Sequence, residues 1–161
     1  MEFIVRVSLG RGGHQDLLLT IPQLDVEVLA DTYYFALAIE KRGVALNERA
    51  VRKGVVALLN YWIAKVSSCE DGEVIYLPFD FSDQYTGCFQ VTGMGSNLRL
   101  SYGFSLLEGY RVNPLDPGDY YKKVRDFKTT SDRYIDLSHE EFLGALRVAV
   151  AKIEAEDSII Q

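Results

Sequence analysis

Residues Glu73–Leu106 read EVIYLPFDFSDQYTGCFQVTGMGSNLRLSYGFSL. At the end of this stretch Leu98, Leu100, Tyr102, Phe104 and Leu106 alternate with Arg99, Ser101, Gly103 and Ser105. A period of two places one set on an apolar face and the other on a polar face, the mark of a half-buried strand. Two earlier runs, Glu73–Asp80 and Tyr85–Thr92, read as strands as well, and GMGSN marks the turn before the third. Parallel neighbours need a crossover of a dozen residues or more, and no such connection separates these strands. Their sheet is therefore expected to be antiparallel.

Toward the N-terminus, Phe3, Val5, Val7 and Leu9 alternate with Glu2, Arg6 and Ser8. GRGGH at Gly10–His14 then reads as a hairpin loop, and DLLLTI as a second strand. A phosphate-cradling glycine loop would need a helix to begin at once, and here another strand follows. From Asp25 the spacing turns helical through Val26, Leu29, Ala30, Tyr33 and Leu37, with Asp25 as N-cap and Gly43 past the last turn. Asn47 caps a second helix that runs to about Val66 and is apolar almost all round near Trp62.

Toward the C-terminus, Asn113-Pro114 and Asp116-Pro117-Gly118 are turn chemistry. Strands are expected at 119–127 and 133–137. Ser138 and Glu141 form a capping box for a last helix carrying Phe142, Ala145, Leu146, Ala149 and Ile153 on one stripe. With no repeat, linker or low-complexity tract, the chain is expected to be one domain over 1–161. Its class is α+β, with an antiparallel sheet of five to seven strands and three helices packed mainly on one face.

The 161 residues carry a net charge of −6. The excess is local. Residues 66–98 contain Glu70, Asp71, Glu73, Asp80 and Asp83 and no lysine or arginine. A nucleic-acid binder shows the opposite balance, so DNA, RNA and anionic membranes are not the expected partners. No apolar run approaches the roughly 18 residues a bilayer requires. The opening MEFIVRV lacks the basic start of a signal peptide. The expectation is a cytoplasmic protein with Cys69 and Cys88 as reduced thiols.

Catalytic patterns fail one by one. The two histidines, His14 and His139, fall in a loop and a first helical turn, and no G-x-S-x-G elbow is present. Counted as a calcium loop from Asp80, the sixth position is Tyr85 where glycine is needed. Two cysteines and two histidines without CxxC or HxxxH spacing do not make a zinc site. Asp80 with Asp83, or Asp116 with Asp119, has the spacing of a glycosidase pair, but nothing marks a cleft around either. No cofactor, metal or catalytic residue is therefore expected. What remains is acid beside tyrosine: Asp80, Asp83, Tyr85, Asp116, Asp119, Tyr120 and Tyr121, with Tyr110 near them. Tyrosine offers contact area and a hydroxyl at low entropic cost, which suits a basic protein partner.

Two stretches, YLPFDFSDQYTGCF and LSYGFSLLEGYRVNPLDPGDYYKKVRDF, resemble the small immunity proteins of bacterial contact-dependent inhibition and other polymorphic toxin systems. The resemblance spans roughly residues 73–150 and rests on acidic α+β character with a middle rich in Phe, Asp and Tyr. It implies a non-catalytic inhibitor that binds a cognate, usually basic, toxin domain and masks its active site. No residue is carried over by motif. Acidic secretion chaperones are also similar in size and charge, but they open with a helix where this chain opens with strands. The competing expectation is a small-molecule- or metal-binding enzyme domain with a carboxylate-lined pocket. Whether the chain is a monomer or a homodimer is left open by the sequence.

Overall fold

The computed structural model describes residues 1–8 and 16–159. The expected loop at Gly10–Gly13, with Leu9 and His14, lies outside the described residues. Among the described residues, eight strands form two antiparallel sheets. The first is β1 (Ile4–Val7), β2 (Leu17–Ile21) and β3 (Val26–Ala30), paired in that order. The second is built on β4 (Val74–Phe81), β5 (Thr86–Met94) and β6 (Asn97–Ser105), the three strands of the opening stretch. The two-residue β7 (Lys128–Thr129) and β8 (Ile135–Ser138) both pair with β6, at opposite ends of it. The helices are α1 (Tyr33–Lys41), α2 (Glu48–Ser67), the single turn α3 (Tyr120–Lys123) and α4 (His139–Ile159). The class is α+β and antiparallel, as expected, with its strands divided between two sheets. Among the described residues no helix is long and apolar enough to cross a membrane.

Two expectations are corrected. The helix foreseen from Asp25 splits. Residues Val26–Ala30 form a strand, paired from Ile21↔Val26 to Leu17↔Ala30. Asp25, foreseen as an N-cap, instead takes a left-handed φ of 53° after a 3-10 turn at Pro22–Leu24, which reverses the chain into β3. Tertiary pairing with β2 overrides a helical spacing that Val26, Leu29 and Ala30 satisfy equally well as a strand. The strand foreseen at 119–127 is the short α3 followed by a loop. Its Tyr120 and Val124 turn inward at helical spacing after Asp116-Pro117-Gly118.

Helix ends follow their local chemistry. Asn47 accepts a hydrogen bond from the Ala50 amide at 2.8 Å and starts α2. At α4 the capping box closes both ways: Ser138 N donates to Glu141 at 2.8 Å, and Glu141 N to the Ser138 hydroxyl at 3.1 Å. His139 faces two backbone carbonyls, with Nδ1 3.0 Å from Ser96 O and Nε2 3.3 Å from Cys69 O. That ring ties α4 to the loops beside it and does not stand out in solvent.

One contiguous cluster of buried side chains joins both sheets to the helices. Trp62 on α2 is fully buried at its centre. Its ring lies 6.0 Å from Phe3 just before β1, 6.2 Å from Phe79 on β4 and 5.5 Å from Phe89 on β5, all edge-on. Phe142 of α4 meets Phe3 at 6.4 Å. Phe35 of α1 meets Phe81 at the end of β4 at 5.6 Å, which sets α1 beside the second sheet.

Candidate functional site

Opposite Pro78 stands Cys88, but the next pair is Asp80 with Gly87. One extra residue, Phe79, has been inserted into β4. Strict alternation from Leu77 would send the Asp80 side chain to the other face of the sheet. The bulge returns it to the face that carries Leu77, Phe89 and Tyr102. Pro78 has no amide to contribute to the ladder, which suits it to such an irregularity. Its carbonyl accepts a hydrogen bond from Trp62 Nε1 at 3.0 Å. The centre of the core thus holds the bulge that aims Asp80.

A second local structure brings partners to it. The buried Asp16 carboxylate accepts from the Thr32 amide at 2.9 Å and from the Thr32 hydroxyl. Asp31 accepts from the Tyr33 amide at 2.8 Å. These bonds fix the step from β3 into α1, and so the positions of Tyr33 and Tyr34. Across the gap, Ser82 N donates to Tyr85 O at 3.0 Å and Gly109 N to Ser82 O at 2.7 Å, which fixes the β4–β5 turn.

Between these two supports lies an open cleft of about 500 Å³, lined by Asp31, Asp80, Asp83, Tyr33, Tyr34 and Tyr85 among others. The Tyr34 hydroxyl donates to Asp83, and the Tyr85 hydroxyl to Asp80 at 3.2 Å. The Asp83 carboxylate beside it pushes the Tyr34 phenol up to about 12. Burial raises Asp80 above the ordinary carboxylate range, with Asp31 adding to it and the Tyr85 bond working against it. Among the described residues, neither Asp80 nor Asp83 forms an ion pair, and no lysine or arginine lines the cleft.

A second cavity of about 520 Å³ adjoins the first and shares Leu29, Asp80 and Tyr85 with it. Its distinctive members are Gly87, Tyr102, Phe104 and Glu27. Gly87 is required here by space. A Cβ at this position would lie 2.9 Å from Asp80 Cβ and closer still to the Tyr102 hydroxyl. Tyr102 is 8% exposed, and burial drives its phenol well above the usual value.

The five acids of the base-free segment therefore do not form one patch. Glu70, Asp71 and Glu73 lie before β4, where Asp71 accepts from Gly95 N at 2.8 Å and Glu73 from Glu70 N at 2.9 Å. Asp80 and Asp83 lie at the other end of the strand, about 20 Å away at ~3.3 Å per residue. Of the residues singled out by sequence, Asp80, Asp83 and Tyr85 come together. Asp116, Asp119 and Tyr121 belong to a different patch beside α2. There the Tyr61 hydroxyl donates to Gly118 O at 2.8 Å, Lys65 sits 4.3 Å above the Tyr121 ring, and Asp119 pairs with Lys123 at 3.3 Å. Tyr120 is 1% exposed, next to Cys88 under the second sheet, and presents nothing to the outside. Tyr110 is exposed on the far side of Tyr34.

Sequence reasoning misses Asp31, Tyr33, Tyr34, Gly87 and Tyr102 as site residues. The one available signal is DTYY at 31–34, an acid followed by two tyrosines, hidden by the helix read across it.

Among the described residues, no group of three or more His, Cys, Asp or Glu is placed to hold a metal ion. The cleft presents Asp31, Asp80 and Asp83 together with tyrosine rings. Compared with known protein families, curated proteins and solved structures, the chain matches none of them.

The raised Asp80 carboxyl makes a stability prediction. A group whose pKa is higher in the folded than in the unfolded state favours folding when protonated, and that contribution is lost as pH rises through the folded value. At neutral pH the charged Asp80 is thus a cost. Asp80→Asn keeps an acceptor for the Tyr85 hydroxyl and removes the charge. Its melting temperature at pH 7 is expected to equal or exceed that of wild type, with the difference closing as the pH is lowered toward 4. Thermal melts across that range check this, and a lower melting temperature at pH 7 would contradict it.

Proposed function

We propose that this chain is a non-catalytic binding protein whose cleft between α1 and the β4–β5 turn receives a basic segment of a protein partner. The observation that carries this reading is the convergence of Asp80 and Asp83 with Tyr33, Tyr34 and Tyr85 on one opening that, among the described residues, no lysine or arginine lines. Each carboxylate gives one oxygen to a tyrosine hydroxyl, and among the described residues the other oxygen accepts no hydrogen bond and can take an incoming donor. Such hydroxyls hold the acceptors in place before binding, so little ordering cost remains to be met on association. The carboxylates supply steering and register, while the tyrosine rings supply contact area. An immunity-type inhibitor of a basic toxin domain, the function implied by the resemblance, is the concrete form we favour.

The direct test titrates the protein with two octapeptides, (Gly-Arg)4 and its acidic counterpart (Gly-Glu)4, at low salt by calorimetry. The basic peptide is expected to bind and the acidic one not. Asp83→Asn should weaken the basic peptide about three- to tenfold, in line with the ~0.5–1.5 kcal/mol of one hydrogen bond. Failure of the basic peptide to bind would refute the proposal, as would equal binding by the variant.

A further inference from the structure

The second cavity has a property that acidity alone does not explain. Tyr102 is only 8% exposed, and its hydroxyl makes no hydrogen bond among the described residues. The hydroxyl lines the cavity and overhangs Gly87, on the same side as Asp80. The ring is buried but the hydroxyl opens onto the cavity, so its hydrogen-bonding capacity is available to a partner that arrives from outside. Around it the walls are apolar and aromatic: Val28 and Leu29 from β3, and Phe104, whose ring stands 6.3 Å from that of Tyr85 in an edge-on pair.

We infer that this cavity is a socket for one arginine side chain of the protein partner, its guanidinium bridging Asp80 and the Tyr102 hydroxyl across Gly87. This rests on the reading of the adjoining cleft as the docking site of a basic segment. Charge complementarity selects a cation, since among the described residues the charged groups lining the cavity are Asp80 and Glu27, both acidic. The choice of arginine over lysine follows from shape and hydration. A guanidinium is planar and weakly hydrated, stacks on aromatic rings and carries five N–H donors in a fork. That fork reaches two acceptors standing on different strands, Asp80 on β4 and Tyr102 on β6, with only a glycine between them. An ammonium is a compact, strongly hydrated charge and would lose water to apolar walls without gaining a stacking face. As guanidinium has no acceptor, the Tyr102 oxygen accepts from it and the phenol proton stays free for Asp80 or a carbonyl of the partner.

The experiment compares (Gly-Arg)4, (Gly-Lys)4 and free L-arginine by calorimetry at one salt concentration, on wild type and on Tyr102→Phe. The arginine peptide is expected to bind wild type about tenfold more tightly than the lysine peptide. Tyr102→Phe should erase that preference while melting near the wild-type temperature, because the hydroxyl it removes makes no hydrogen bond among the described residues. Two peptides binding equally well to wild type would overturn the socket and leave the docking reading standing. If neither peptide bound, both would fall. A preference that survives Tyr102→Phe would overturn the role of the hydroxyl, and free arginine binding as tightly as the peptide would overturn the assignment to a protein partner.

Discussion

Trp62→Ala is expected to remove a large part of the stability of this fold and to open its binding cleft as well. The ring is fully buried and has three aromatic neighbours, Phe79 and Phe89 on the second sheet and Phe3 just before the first. Truncating such a side chain costs about 3–5 kcal/mol, against a total of about 5–15 kcal/mol for an ordinary domain. At this chain length that corresponds to a fall in melting temperature of about 10 °C or more. Trp62→Phe separates packing from positioning. It keeps an aromatic ring among the same neighbours, loses part of the apolar volume and removes the Nε1 hydrogen bond to Pro78 O. That carbonyl sits at the bulge which turns Asp80 into the cleft. Trp62→Phe should therefore lose less stability than Trp62→Ala, yet bind a basic peptide more weakly than wild type. Differential scanning calorimetry and peptide titration on the two variants test both halves. If Trp62→Ala melts within a few degrees of wild type, the account of the core is wrong. If Trp62→Phe binds normally, the account of the bulge is wrong.

Much of the second sheet could be read from the sequence because its signals are local. Leu98–Leu106 alternates without interruption, Asn47 and the Ser138–Glu141 pair are caps, and the Gly95 turn closes a hairpin. The first sheet was half legible. Val26, Leu29 and Ala30 fit either period, and only pairing with β2, a non-local fact, decides for a strand. The site was legible to the same degree and for the same reason. Asp80, Asp83 and Tyr85 are neighbours in sequence and remain neighbours in space. Tyr34 meets Asp83 across a sequence gap of 49 residues, and Tyr102 reaches Gly87 from the next strand. The bulge at Phe79 has only a proline to announce it. Without the bulge, alternation would place Asp80 on the wrong face. Acid density was misleading by itself, since the base-free segment folds its five carboxylates to two ends of β4.

That separation makes the largest functional prediction a positional one. The double variant Asp80→Asn, Asp83→Lys raises the net charge of −6 by three units at the cleft. The double variant Glu70→Lys, Asp71→Asn raises it by the same amount at the far end of β4. There the introduced carboxamide still offers an acceptor to the Gly95 amide that Asp71 serves in the wild type. A unit charge about 7 Å from a partner cation is worth about 0.6 kcal/mol in water-like dielectric, so three units amount to about 1.8 kcal/mol. That corresponds to about a twentyfold slower association with a basic peptide at low salt, within the ~10- to 1,000-fold span of electrostatic steering. The Debye length is ~10 Å at 0.1 M salt, and the two ends of β4 are separated by about twice that. The distal variant should therefore associate within about twofold of wild type at 0.1 M salt. At 1 M salt, where screening reaches ~3 Å, all three proteins should converge. Lowering the pH toward the raised Asp80 value should slow wild type toward the cleft variant, because protonation removes one of the same charges. Stopped-flow rates across salt and pH distinguish local steering from net charge. Equal slowing by both variants would assign the effect to overall charge and remove the cleft from the account.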